Sequence, residues 1–501
     1  MEGGSESGTR RRERRIAAWL GLAAFLAYLP FFHGHFTGTD ETGVYLTARA
    51  LYETGSFEVH EGAHRFAGRD GRTYAHFAPG LPLLAVPLYA LGDLAAHTLP
   101  GAWLARVNPR PEEPGRIDTL VTPPVFAVAL YAPLASAVLV ALFFLFQIRL
   151  GASPRSAILA SALLGATSYV ATHSVYFLRH TSEAITILAA FLALFDYRQQ
   201  GRLRDLVLGS LLASLTLLVA VPALVGLLPI ALYALFLLSP RLSKAPLAGR
   251  ARLLVCASLP ALVVLAAHVA LNHQLWGTFL DSPMLAQRGS FSTPLVVGLR
   301  GFLLSPGCSI FVYSPLLLLL PWTLPPFWRT HRAECAVAVA IALCLLVFCA
   351  RFELWPGLWS APGPRYLFVV TPVLLLPLGC WIDLPRSKAK HVLLWGVAGL
   401  GFGVQLLLVL ARWTEVIRGM GYQKAVLASG FDFLFVPEQS PVLGSWHALR
   451  AGHVDAWLYG LARGSELSAG APLAAAILLG TLTLAFVLVL RRLRRSLRPG
   501  R

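Results

Sequence analysis

Residues 10–41 read RRRERRIAAWLGLAAFLAYLPFFHGHFTGTDE. Five arginines lead into the apolar run Ile16–Phe32, which with its flanks approaches the roughly 20 helical residues that a bilayer core requires. The run ends in two histidines, His33 and His35, followed by the adjacent acids Asp40 and Glu41. Phe31-Phe32-His33-Gly34-His35 is a poor cleavage site, so the run reads as an uncleaved first span rather than a signal peptide.

Working outward, the same apolar pattern recurs at 123–146, 156–173, 182–196, 206–220, 222–238, 253–271, 308–328, 333–350, 366–382, 392–411 and 471–490. With 16–33 these predict about twelve transmembrane helices, an all-α polytopic membrane protein, because lipid offers no water to open backbone groups. Across the 501 residues, 56% are hydrophobic and 13% charged. Soluble domains carry about 25% charged residues, so a soluble enzyme and a disordered chain are both excluded. Segment 80–99 is apolar but holds Pro82, Pro87, Asp93 and His97, and reads as lying at or re-entering the outer surface. Val221-Pro222 is either a kink or a loop.

Charge sets the orientation. With the N-terminus cytoplasmic, the inner segments hold 25 Lys and Arg against seven acids, and the outer segments hold 17 against 18. The net charge of +17 therefore reports topology and contact with lipid headgroups, and nucleic acid is not an expected partner. Both termini are expected in the cytoplasm. The long segments 34–122, 272–307, 351–365 and 412–470 face outward, so chemistry is expected on the outer face. The six cysteines lie mostly inside spans and form no disulfide framework.

Asp40 and Glu41 sit just beyond the first span, where Thr39 or Asp40 can cap a surface helix, Thr42–Glu53. A carboxylate there can take a proton from an attacking hydroxyl, and an adjacent acid can tune it or help to bind a cation. Downstream, Asp70-Gly71 marks a hairpin turn, followed by Tyr74-Ala75-His76-Phe77-Ala78-Pro79-Gly80-Leu81-Pro82. Later come Ser305-Pro306-Gly307, Val312-Tyr313-Ser314-Pro315 and Gly363-Pro364-Arg365-Tyr366-Leu367. Irregular backbone at membrane depth is tolerated where it lines a cavity or is buried in protein.

In these four features the chain resembles bacterial polytopic glycosyltransferases of the GT-C fold, the class that includes protein mannosyltransferases and the aminoarabinose transferase of lipid A. The ordered set covers most of residues 1–411. The resemblance implies a GT-C-like core at 1–411 with an enlarged first outer loop carrying surface helices. Segment 412–470 would be an outer loop region, and 471–501 the last helix with a basic cytoplasmic tail. It implies an inverting transferase of the bacterial inner membrane, with a periplasmic active site. The enzyme would move a hexosyl or pentosyl group from polyprenyl phosphate to a hydroxyl on a lipid, glycan or protein. The first-loop acid, Asp40 with Glu41, would be catalytic.

The leaving lipid phosphate needs fixed cations at the membrane boundary, and the guanidinium fork suits it. Arg365 opens a span at the right depth, and Arg351 closes the preceding one. His76 is a third candidate, although such sequences often carry Lys at its position, and His is a weaker, pH-dependent cation. Tyr74, His180, Glu183, Tyr313 and Tyr366 are expected near the substrate pocket. Trp355 and Trp359 read as an interfacial aromatic belt, and His60 and His64 as solvated loop residues. No cofactor is required. A divalent cation has suitable ligand types in His33, His35, Asp40 and Glu41, but their spacing matches no strong pattern. The competing readings are a twelve-span transporter and another lipid-linked glycan enzyme, such as a ligase.

Overall fold

The computed structural model describes residues 2–99, 122–279, 291–385, 387–422, 425–426, 431–463 and 471–497. Parts of the expected outer segments 34–122, 272–307 and 412–470 lie outside these residues. The described chain is almost wholly helical. Its single sheet is a two-stranded antiparallel hairpin that pairs Arg65–Ala67 with Thr73–Ala75.

Among the described residues, eight helices are long and apolar enough to cross a membrane: Gly80–Thr98, Pro123–Arg149, Val221–Lys244, Leu247–Trp276, Arg332–Arg351, Arg365–Asp383, Lys388–Leu410 and Pro472–Ser496. The chain is a multi-pass membrane protein. Several expected spans are shorter or interrupted, for local reasons. The first helix, Glu2–Tyr28, tightens into a 3₁₀ turn at Leu29–Phe31, where Pro30 removes a donor. Ala220 is extended, and a 3₁₀ turn at Val221–Ala223 parts Leu203–Val219 from Leu224–Lys244, so Val221-Pro222 is a connection between helices. Helix Gly80–Thr98 bridges two helix ends. Its Gly80 lies against Leu218 and Val219, and its Gly92 lies against Pro123 and Pro124.

The expected span 308–328 is broken at Ser314-Pro315 into Ile310–Tyr313, a 3₁₀ turn and Leu320–Thr330. Expected span 156–173 breaks likewise at Ser168, between Pro154–Thr167 and Tyr169–His173. The two breaks face each other in the interior, where freed backbone groups must be satisfied by protein. The Ser314 hydroxyl accepts the Tyr169 N–H at 3.1 Å. Gln405, from helix Lys388–Leu410, completes the set. Its amide nitrogen donates to the Tyr313 carbonyl at 2.7 Å, and its oxygen accepts the Thr172 N–H at 3.1 Å. One buried amide thus closes two interrupted helices. Trp355 is 1% exposed and packs on Gly301 and Phe302, so it belongs to the interior rather than to an interfacial belt.

Helix Lys388–Leu410 reaches this interior because Gly401 lets its backbone meet the carbonyl of Thr167; a Cβ there would overlap that oxygen. Gly403, two residues on, has nothing within 4 Å of a built Cβ. Gly401→Leu is therefore expected to cost about 1–3 kcal/mol through overpacking. Gly403→Leu should leave the thermal midpoint in detergent near wild type. Equal midpoints for the two variants would contradict this packing.

Candidate active site

The site begins with the start of helix Thr39–Thr54. Gly38 is its N-cap, in extended conformation. Only glycine fits closely here, since a Cβ would lie 2.8 Å from that of Ser360. Glu41, at the third helical position, folds back as in a capping box. Its Oε2 accepts from the Thr37 N–H at 2.7 Å, the Thr37 hydroxyl at 2.9 Å and the Gly38 N–H at 2.9 Å. Its Oε1 accepts from the Phe177 N–H at 2.7 Å. Burial pushes the Glu41 carboxyl up, and these donors oppose the shift. Both oxygens are engaged in fixing the turn, so Glu41 is a positioning residue here. The sequence alone had grouped it with the catalytic acid.

Asp40 is left to point the other way. Its Oδ2 lies 2.8 Å from a guanidinium nitrogen of Arg365 and accepts the Ser360 hydroxyl at 3.0 Å. Its Oδ1 lies 3.7 Å from Nε2 of His64. Burial pushes the Asp40 carboxyl up, but Arg365, His64, Ser360 and the more distant Arg179 outweigh it. They hold the group well below the usual carboxylate range. Asp40 is a carboxylate at any physiological pH. His64, read from sequence as solvated, joins the site because its backbone adopts a positive φ of 62° and its ring meets those of His76 and Phe77. His60 remains exposed.

Arg365 comes from the 3₁₀ turn Arg365–Leu367, after the irregular Pro- and Gly-rich segment 352–364. Its side chain is 5% exposed and lies over the Tyr366 ring. Gly357, at φ +65°, lets the segment close against Arg365 and Tyr366, where a Cβ would press on both.

Asp40, Arg365, His76, Arg179, His180 and Tyr366 line the polar side of a small neck of about 440 Å³, space open to solvent included, and Val44, Leu81 and Phe177 line its apolar side. The neck shares His76, Phe77, Arg179, His180 and Tyr366 with a larger cleft of about 1330 Å³. Leu271, Leu275, Trp276, Leu345, Phe348 and Phe352 form apolar walls of that cleft, together with the turn Ala220–Ala223. Glu183 lines it as well, accepting from Arg179 at 2.8 Å and facing His180 at 3.4 Å. The arrangement is a charged recess beside a mainly apolar cleft.

Not every residue expected at the site is there. Arg351 is exposed, donates to the Phe291 carbonyl at 2.9 Å and lines neither space. Tyr74 donates to Asp70 at 2.6 Å and packs edge-on to Trp276, behind the cleft wall. Tyr313 is fully buried, donates to the Gly307 carbonyl at 3.0 Å and packs under Gly363. Both tyrosines brace the site from outside it. His33 and His35 face away from Asp40 and Glu41, whose oxygens are directed elsewhere, so the four do not form one cation site. The sequence marks Arg179, at an outer turn with His180 and Glu183, either as a ligand for donor or acceptor or as part of a mutually satisfied turn. Its place beside both spaces follows from the fold.

Glu41→Ala would strip the acceptor from three amides at once. Buried unsatisfied donors cost about 1–3 kcal/mol each. The variant is expected to lose at least about 2 kcal/mol of stability, read as a lower thermal midpoint. A midpoint equal to wild type would contradict the positioning role.

No family model matches this sequence, and no curated protein does. Among solved structures the chain is similar to ArnT from Cupriavidus metallidurans bound to undecaprenyl phosphate. Identity is 15% and the TM-score 0.47, over 89% of this chain and 78% of that one. The same protein in the apo state gives 13% and 0.46, over 90% and 78%. The Archaeoglobus fulgidus oligosaccharyltransferase in the apo form gives 11% and 0.44, over 86% and 63%.

Proposed function

We propose that this protein is an inverting glycosyltransferase. It moves a sugar from polyprenyl phosphate to a hydroxyl on a lipid, glycan or protein acceptor, at the outer face of a bacterial inner membrane. The observation that carries this reading is the Asp40–Arg365 pair, which lines a neck that shares Arg179, His180, His76, Phe77 and Tyr366 with an apolar cleft. A polyprenyl chain needs an apolar trough, its phosphate needs buried cations beside it, and an attacking hydroxyl needs a base within reach. The three requirements meet at one point of this chain.

The polyprenyl tail lies in the cleft, with its phosphate turned into the neck toward Arg365, Arg179 and His76. The acceptor hydroxyl approaches Asp40. As its oxygen attacks the anomeric carbon from the face opposite phosphate, Asp40 takes the hydroxyl proton. The bond from the anomeric carbon to the phosphate oxygen breaks, and polyprenyl phosphate leaves as an anion held by the arginines. A single displacement inverts the anomeric configuration. Before donor binds, Arg365 is committed to Asp40 and holds it a weak base. An incoming phosphate competes for that guanidinium and raises the basicity of Asp40 when the reaction needs it. Arg351, which lines neither space, is left to lipid headgroups. Tyr366 and His180 shape the neck beneath the sugar.

The test is release of polyprenyl phosphate from a panel of polyprenyl-phosphate sugars by purified protein in vesicles, with membrane extract as acceptor source. Asp40→Asn is expected to lower turnover at least about 100-fold, the lower bound for loss of a general base. It should still bind polyprenyl phosphate no more weakly than wild type, because Arg365 is released from its partner. Unchanged turnover would sink the assignment of the base, and lost lipid binding would sink the phosphate site. In Arg365→Gln the nearest cation is gone, and burial then raises the Asp40 carboxyl. The acid limb of residual kcat/KM should move to higher pH relative to wild type. A limb that stays in place, or moves down, would contradict the pairing.

A further inference from the structure

A second polar cluster lies apart from the neck, where three stretches of chain meet. These are the exit of the first helix at 32–36, the end of helix Lys388–Leu410, and residues 453–457. They are stitched by backbone hydrogen bonds. The Asp455 N–H donates to the Leu410 carbonyl at 2.7 Å, the Arg412 N–H to that of His453 at 3.0 Å, and the Trp457 N–H to that of Phe32 at 2.8 Å. Inside this knot sit His33, His35 and Asp455, all buried.

The hydrogen bonds fix how the two rings are protonated. Nε2 of His33 lies 3.0 Å from the Val409 carbonyl, and Nδ1 of His35 lies 2.7 Å from that of Phe36. A carbonyl only accepts, so each of these nitrogens carries the hydrogen. The remaining nitrogen of each neutral ring then presents a lone pair. Both face the same carboxylate. Nε2 of His35 is 3.0 Å from Oδ1 of Asp455, and Nδ1 of His33 is 3.9 Å from Oδ2. Two imidazole nitrogens and a carboxylate thus converge in a buried space, the donor set that a divalent cation of the zinc class takes. The donation of each far ring N–H to a carbonyl is the support that metal-bound histidines use. Ligand atoms of a tetrahedral zinc ion, bound at about 2.0–2.2 Å, stand about 3.3 Å apart. The three atoms lie within 4.8 Å of one another.

We infer that His33, His35 and Asp455 form a structural site for a divalent cation of the zinc class, pinning the exit of the first helix to the segment before the last one. His35 stands five residues before Asp40, so the ion would hold the base of the proposed site in register from behind. Asp455, the one ligand that this site takes from 412–470, gives that segment a role that the sequence did not disclose.

The test uses full-length protein carrying an affinity tag without histidines, purified from zinc-supplemented cells. Metal content is read by mass spectrometry on the unfolded sample. Wild type is expected to carry about one zinc per chain, and the double variant His35→Ala/Asp455→Ala almost none. Wild type free of metal, or a folded double variant that keeps its full equivalent, would overturn the inference. If the variant does not fold, zinc X-ray absorption on wild type decides: a shell containing two imidazoles supports the site, and a shell without them overturns it. These readouts are independent of any transferase activity.

Discussion

The ion pair of Asp40 and Arg365, 2.8 Å apart, is the contact to which the rest of the site refers. It joins residues 325 positions apart, and each end has its own scaffold. Asp40 is presented by a helix start whose geometry Glu41 fixes through its accepted hydrogen bonds. Arg365 is presented by a Pro- and Gly-rich segment that closes over it. A buried charge pair is costly to assemble, because two ions lose their water, and removing one partner leaves the other exposed to that cost. In the proposed reaction, a phosphate that enters the neck gives Arg365 a second anion and releases Asp40 to act.

The interior around this pair follows the rule that irregular backbone must be satisfied by protein. The breaks at Ser168 and Ser314 leave carbonyls and amides that only a polar residue can answer, and Gln405 answers both. Helix Lys388–Leu410 therefore does two jobs. It closes the broken helices with Gln405, and its end supplies the Val409 and Leu410 carbonyls to the His33–His35–Asp455 knot.

Local signals in the sequence carried the helical class, the breaks at Ser314-Pro315 and Val221-Pro222, and the prominence of Asp40 and Arg365. Each of these is written within a few residues: an apolar run, a proline, an acid beyond a span, an arginine before one. Features that depend on distant partners were not legible. Glu41 looked equivalent to Asp40 because an acid pair reads alike whether it caps or catalyses. The clue was the third-position spacing after Gly38, which is that of a capping box. His64 looked solvated because a positive φ is invisible in sequence outside glycine. Tyr74 and Tyr313 sit in conspicuous motifs, yet they brace the site through Asp70 and Gly307. Asp455 lies 420 residues from His35, and no spacing rule connects them.

The proposed function requires one lipid phosphate to be held between Arg365 and Arg179 while its tail fills the neighbouring cleft. The most direct measurement is a cryo-electron microscopy structure of the protein with polyprenyl phosphate in a lipid nanodisc. Phosphate density is expected within ion-pairing distance of Arg365, with the first isoprene units along Trp276, Leu275 and Phe348. A phosphate bound away from Arg365, with the cleft filled by protein or by bulk lipid and the Asp40 pair undisturbed, would contradict it.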